Sequence, residues 1–270
     1  MRQTLEEYGG PEKTAIVFHG GGNFGDIWHR EQYMREIVIQ KFHDYRIRSF
    51  PQTYKFNDPV KLATAQEVYG NHPDLQLAAR DTKSFAALQT DFGAKHKVIL
   101  VPDAATMLIT NPPKGGGNKM SNADYVFLAR TDKEGDQNHW EERKTIEELQ
   151  HSRNKNGEEV DTTLEIMDWL GHNPPGLNEA DWDGQAWLKV NWAYDFLTQG
   201  GFILSDRLHV HILSTLWGID HVVIEDGEYA KVRTYHDTWL RQCEKPGSMA
   251  KTVKDGVEVA KAWYQRGGSF

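Results

Sequence analysis

Short apolar runs alternate along this chain with segments whose apolar residues recur at helical spacing. Thr14–His19 (TAIVFH) is a continuous run and predicts a buried strand. Gly20–Asp26 follows as a glycine-rich turn. From Ile27 to Phe42, apolar residues at Ile27, Met34, Val38 and Phe42 predict a helix. Tyr45–Phe50 predicts a second strand, stopped by Pro51. A helix over Asp58–Tyr69, a strand over Leu75–Ala79, a short helix over Thr82–Gln89 and a strand over Lys97–Val101 (KVILV) complete the series. Strand and helix in alternation are the pattern of a parallel sheet with crossover helices.

The composition then shifts. Asn111–Asn122 (NPPKGGGNKMSN) holds two prolines and three glycines and reads as a linker, with a long surface loop inside one domain as the alternative. A second series follows. Asp124–Ala129 predicts a strand, Thr131–Glu148 a polar loop running into a short helix, Glu159–Thr163 a strand, and Gly171–Gly184 an irregular loop. Gln185–Thr198 is amphipathic, with Gly200 and Gly201 as its expected C-cap. A short strand over Phe202–Leu204 leads to a helix over Asp206–Trp217, with Ser205 or Asp206 as N-cap. His221–Ile224 predicts the next strand, and Ala250–Gln265 a last helix broken at Gly256. The expected fold class is α/β, with two Rossmann-like domains over 1–117 and 118–270 and a cleft between them.

Length agrees with this division, since 270 residues accommodate two domains of about 130 each. Apolar residues at 39% suffice for sizeable cores. A formal net charge of −8 argues against nucleic acid as a partner, so any anionic ligand needs a local basic cluster. Cys243 stands alone, which excludes an intramolecular disulfide. No apolar run approaches the ~20 residues of a membrane helix, and the start, MRQTLEEYGGPEK, lacks a signal-peptide core. A cytoplasmic protein is expected, with an upstream anchor outside this sequence as an open alternative. The nine tryptophans fit either core packing or aromatic platforms for sugar rings.

Several stretches carry candidate chemistry. Gly20, Gly22 and Gly25 satisfy G-x-G-x-x-G between a strand and a helix, but the second strand ends in Arg48-Ser49-Phe50 with no acid to hold a ribose. The better reading is a small polar or anionic ligand site at a helix start, where Gly21 and Gly22 offer backbone N–H groups and Asn23 and Asp26 bind hydroxyls. A bare strand-to-helix turn is the alternative. Ser205-Asp206-Arg207-Leu208-His209 lies where a strand becomes a helix, at the ligand-facing edge of an α/β sheet. Arg207 and His209 in a first helical turn oppose the helix dipole, which suggests an anion. The alternative pairs Arg207 with a carboxylate and buries His209. Arg130 and Lys231 follow other predicted strands. Their alternatives are a salt bridge to Asp132 or Asp136 and a solvated loop charge. No metal-binding pattern is present; His209-x-His211 has no carboxylate cluster beside it.

Four stretches in order resemble the polysaccharide pyruvyl transferase family. They are Val17–Trp28 (VFHGGGNFGDIW), Phe50–Phe56 (FPQTYKF), Ala79–Ser84 (ARDTKS) with Val101–Ala104 (VPDA), and Ser205–Ser214 (SDRLHVHILS). The resemblance implies a glycosyltransferase B-like arrangement whose last helix, 250–265, packs back on the N-terminal domain. It implies transfer of a pyruvyl group from phosphoenolpyruvate to two hydroxyls of a saccharide, giving a cyclic ketal, with no metal or other cofactor. It places Arg207, Leu208 and His209 against phosphoenolpyruvate, with Lys231 and Arg130 as further donor contacts and His209 as the proton-transfer group. A nucleotide-sugar glycosyltransferase and a non-catalytic saccharide-binding descendant are the rivals.

Overall fold

The structure is a computed structural model, and it describes residues 1–109, 123–128, 142–168, 173–225 and 230–268. The expected linker Asn111–Asn122 and Arg130 lie outside the described residues. The chain divides into two compact units, Met1–Ala104 with Asp237–Trp239, and Ala105–His236 with Leu240–Phe270.

The first unit opens with short helices α1 (Arg2–Glu7) and α2 (Gly10–Lys13). Strands β1 (Ala15–Phe18) and β2 (Gly21–Gly25) lead to α3 (His29–Lys41). Strands β3 (Arg46–Ser49) and β4 (Gln52–Lys55) lead to α4 (Pro59–Gly70), followed by β5 (Leu75–Ala79), α5 (Thr82–Phe92) and β6 (Lys97–Leu100). All pairings are parallel: β1 with β3, β2 with β4, β5 with β3, β4 and β6.

The glycine stretch expected as a turn is therefore a strand. Gly21 N donates to Pro51 O at 3.1 Å, so β2 resumes the ladder that β1 leaves. Glycine is needed for contact distance: a Cβ on Gly20 would stand 2.8 Å from Pro51 O, and one on Gly25 would fall on the Lys55 carbonyl. The polar β4 (QTYK) also escapes a hydrophobicity pattern, because its residues are buried through hydrogen bonds as much as through packing. Phe24, Ile47, Tyr54, Leu75, Leu77 and Ala79 form one core with Ile39, Tyr69, Leu88 and Phe92 of the helices. The other sheet face carries Arg46, Arg48, Gln76 and Lys97, as the alternation along β3, β5 and β6 requires.

The second unit is built around β7 (Ala123–Leu128). Helix α6 (Arg143–Glu147) precedes a hairpin of β8 (His151–Arg153) and β9 (Glu159–Asp161), then β10 (Leu164–Met167). Helix α7 (Trp182–Leu197) leads to β11 (Gly200–Ser205), α8 (Leu208–Trp217) and β12 (His221–Ile224). Short α9 (Lys231–Tyr235), β13 (Ser248–Ala250) and α10 (Val253–Gln265) complete it. The sheet runs β10-β7-β11-β12-β13, all parallel. Successive residues of β7 and β11 serve opposite cores. Tyr125, Phe127, Phe202 and Leu204 face α10, while Val126, Leu128 and Ile203 face α7 and α8. Both faces are covered, which explains the continuous apolar runs.

Two expectations need correction. Gly200 and Gly201 do not cap α7, which ends on Thr198 in right-handed geometry; they open β11, where a Cβ on Gly200 would stand 2.6 Å from Val126. Gly256 does not break the last helix. It lets α10 approach β12, since a Cβ there would stand 3.0 Å from Ile224. Val253, Val257, Ala260 and Trp263 of the last helix are buried against the second unit's own strands.

The close approach of β2 to β4 generates a test. Gly25 has φ 130° and no room for a side chain, whereas Gly21 has φ 120° and open space around its Cβ position. Gly25→Ala is expected to cost at least about 3 kcal/mol in urea unfolding, and Gly21→Ala about 1–2 kcal/mol from backbone strain alone. Equal costs would show that the approach to Lys55 is not the constraint.

Candidate active site

At the end of β11 the chain turns into α8 through Ser205, Asp206 and Arg207. The buried Ser205 hydroxyl donates to Leu128 O at 2.8 Å and accepts from Arg207 N at 3.1 Å, tying the turn to the end of β7. The helix begins two residues later than expected. Neither Ser205 nor Asp206 is its N-cap: Arg207 takes that position, in extended geometry, and its side chain makes no capping hydrogen bond.

Arg207 is buried and ion-paired with Asp168, which follows β10 and is itself 9% exposed. The pairing with a carboxylate anticipated as an alternative is thus real. It occupies one Nη of the guanidinium, and Arg207 Nε, also buried, has no hydrogen-bond partner among the described residues. A buried unpaired donor is costly and uncommon, and among the described residues Arg207 Nε shares that state with Arg35 Nε and Trp217 Nε1. Leu208 is buried, but His209 in the first turn of α8 is exposed. His209 is thus not the buried histidine of the alternative reading.

Lys231 departs from its bland reading as well. It is the first residue of α9 and is 8% exposed, not a solvated loop charge. Glu225, just past β12, accepts from Val232 N at 2.9 Å and Arg233 N at 2.7 Å and so caps α9. Burial raises the Glu225 pKa, opposed by those two N–H groups and by the Lys231 charge. β11 and β12 are paired neighbours, so Arg207 and Lys231 both stand beyond carboxyl ends of adjacent parallel strands. That is the ligand edge of an α/β sheet. The structure gives no position for Arg130, which lies outside the described residues.

In the first unit the glycine stretch offers less than expected. Asn23 does not reach outward: its carbonyl accepts from Arg35 Nη1 at 2.7 Å, and its side-chain oxygen accepts from Arg35 Nη2. The same guanidinium donates to Gln52 Oε1 at 2.9 Å, and Gln52 donates to His19 O at 2.5 Å. Burial lowers the Arg35 pKa. Asp26 accepts from Asn57 N at 2.8 Å and Asp58 N at 2.7 Å, fixing the entry to α4. Both side chains expected to meet substrate hydroxyls thus have partners within the fold. Gly21 and Gly22 remain partly exposed.

Two arrangements were not assigned from sequence. Arg80, just past β5, pairs with Asp103 at 2.7 Å and donates through Nε to Thr53 of β4 at 2.8 Å. Both residues lie in stretches that carry the family resemblance (ARDTKS and VPDA), which was the available signal. The second is a run of hydrogen-bonded histidines, His221, His211 and His236. Its only sequence trace is His209-x-His211, and the partners are distant in the chain.

Fold and site together describe an α/β protein with parallel sheets and a buried arginine and exposed histidine at the start of a helix. The model of the family "Polysaccharide pyruvyl transferase" matches residues 4–227. Pyruvyl transferase 1 of Schizosaccharomyces pombe is 33% identical over 251 residues, covering 92% of this chain and 60% of that protein. EpsO of Bacillus subtilis is 30% identical over 241 residues, covering 83% of this chain and 69% of that one. The chain thus spans between 60% and 69% of the length of these two relatives. A solved structure of an uncharacterized Klebsiella pneumoniae protein shares the fold, with a TM-score of 0.56 at 16% identity over 88% of this chain and 75% of that one. The chain belongs to the polysaccharide pyruvyl transferase family. Among the described residues no helix is long and apolar enough to cross a membrane.

The Arg207–Asp168 pair is directly testable. Asp168→Asn leaves a buried guanidinium without its counter-charge, and the expected loss is on the order of 3 kcal/mol in denaturant unfolding. A loss below about 0.5 kcal/mol, the scale of an exposed pair, would show that solvent reaches the pair.

Proposed function

We propose that this protein transfers a pyruvyl group from phosphoenolpyruvate to two hydroxyls of a saccharide, forming a cyclic ketal. The observation that carries the reading is the pairing of a buried, incompletely satisfied Arg207 with an exposed His209 two residues on, inside a family of pyruvyl transferases. The glycosyltransferase B-like arrangement and a cytoplasmic location belong to the same proposal.

The chemistry asks for these residue types. Phosphoenolpyruvate presents a carboxylate and a phosphate, and a guanidinium can grip either in a planar fork. C3 of the enol takes a proton and C2 becomes electrophilic. One hydroxyl of the acceptor then adds to C2, and a second displaces the phosphate. Two hydroxyl protons are lost, one balancing the new methyl group and one leaving with phosphate. A histidine that both gives and accepts protons near neutral pH suits this shuttle, and His209 is the exposed one beside Arg207. Fixed positive charge from Arg207 and Lys231 eases departure of phosphate.

Incubation with phosphoenolpyruvate and a panel of galactosides, mannosides and glucosides tests the reading, through phosphate release coupled to acceptor mass gain. Phosphate release without a modified acceptor would contradict it. His209→Ala is expected to lower kcat by about 10²–10⁴ while donor binding persists, and to leave the melting temperature unchanged because the ring is exposed. Arg207→Lys keeps the charge but loses the fork, so the donor Kd is expected to rise roughly tenfold or more by titration calorimetry. Unchanged donor affinity would remove Arg207 from the site.

A further inference from the structure

A chain of three histidines lies beside the Arg207 helix. His221 Nδ1 stands 2.7 Å from Ile219 O, His221 Nε2 stands 2.8 Å from His211 Nδ1, and His211 Nε2 stands 2.9 Å from His236 Nδ1. His211 and His221 are fully buried and His236 is partly so. The His211 and His236 rings stack at 5.1 Å with 20° between planes. His221 is boxed in further by Gly247, at φ 73°, whose Cβ position would overlap the ring.

The direction of this chain follows from its end. A carbonyl only accepts, so His221 Nδ1 carries a hydrogen. Neutral His221 then accepts at Nε2, and His211 donates to it from Nδ1. His211 in turn accepts at Nε2 from the Nδ1–H of His236. One backbone carbonyl dictates the tautomer of all three rings.

The chain also joins three elements. His211 sits one turn after Arg207 on α8, its N donating to Arg207 O at 3.1 Å. His221 opens β12, whose far end leads to Glu225. His236 directly follows α9, which begins at Lys231. We infer that His211 and His236 are positioning residues, which seat α9 and its Lys231 against the helix carrying Arg207 and His209. This rests on the reading that Arg207 and Lys231 hold the donor anion.

The latch holds only with uncharged rings, because a second ring proton would set two N–H groups head to head. Burial, with the neighbouring rings, lowers the basicity of His211 and His221, that of His221 to about 4. Asp220 faces His221 and favours its protonation, Lys245 pairs with Asp220 at 3.5 Å, and Glu244 and Lys245 line the same pocket as His221. A basic group weakened by folding leaves the unfolded chain binding more protons. The contribution is therefore complete above about pH 6.5 and is lost as pH falls from there towards 4.

Two measurements test this. Nitrogen-15 NMR of histidine-labelled protein should show all three rings as Nδ1–H tautomers, with His221 uncharged down to about pH 4. An Nε2–H tautomer at His211, or titration of His221 near pH 6.5, would overturn the chain whether or not the protein uses phosphoenolpyruvate. The second compares His236→Asn, which keeps an N–H where Nδ1 stood, with His236→Leu, which does not. The KM for phosphoenolpyruvate should stay within about twofold of native in the first and rise roughly tenfold in the second, with kcat changed less and the acid limb moved to higher pH. Equal behaviour of the two variants in a native protein that binds phosphoenolpyruvate would overturn the positioning role alone. A native protein that binds none would overturn the donor reading, and the positioning role with it.

Discussion

A guanidinium leaves water only at a high cost, which a buried counter-charge offsets, and each unit of this protein contains one such buried ion pair. Arg207 is held by Asp168 and Arg80 by Asp103, all four side chains buried. Each arginine stands just past the carboxyl end of a parallel strand, β11 or β5. The desolvation penalty of such a pair is several kcal/mol per ion, recovered only with good geometry and further hydrogen bonds. Arg80 has those bonds, through Thr53 and through Asp103. Arg207 does not have a full set among the described residues, and its buried Nε is the difference. Among the described residues, one pair has its guanidinium Nε bonded and the other does not.

The parallel sheets explain why these residues meet. Every strand of a parallel sheet delivers its next turn to the same edge, so distant stretches of sequence converge there without direct contact in the chain. In the second unit that edge gathers Asp168, Arg207 and Glu225 from beyond β10, β11 and β12, with Lys231 at the start of the helix Glu225 caps. Ser205 bridges two of those strand ends through its hydroxyl. In the first unit the edge is held by Gln52, Thr53, Arg80 and Asp103, and the glycines of β2 permit the close strand approach beside it.

Much of the fold was legible in the pattern of apolar runs. Leu75–Ala79 and His221–Ile224 are strands as predicted; the second is buried throughout and the first is buried except at Gln76, so both leave a mainly apolar signature. Polar or glycine-rich strands left none: β2 (GGNFG) and β4 (QTYK) gain their place from backbone pairing and side-chain hydrogen bonds. Gly200 and Gly256 misled for a related reason. Glycine marks either a turn or a close approach, and only the neighbouring element decides between them. At the site, the sequence pointed to Arg207 and His209 by their place at a strand-to-helix junction. It did not show the partners of Asn23 and Asp26 within the fold, Arg35 and the backbone at Asn57 and Asp58, which come from other elements. Asp168 and the three histidines are joined to partners 10 to 39 residues away, which no local pattern encodes.

In the proposed reaction the enol donor gains a proton at C3 and two acceptor oxygens at C2 as phosphate leaves. Phosphoenolpyruvate labelled with carbon-13 at C2, supplied with a saccharide acceptor in D2O, tests this most directly. The account predicts that the labelled carbon appears in the product as a ketal carbon bound to two acceptor oxygens, beside a methyl group carrying one deuterium. Label recovered as free pyruvate with the acceptor unchanged, or an acceptor that gains mass without the label, would contradict it.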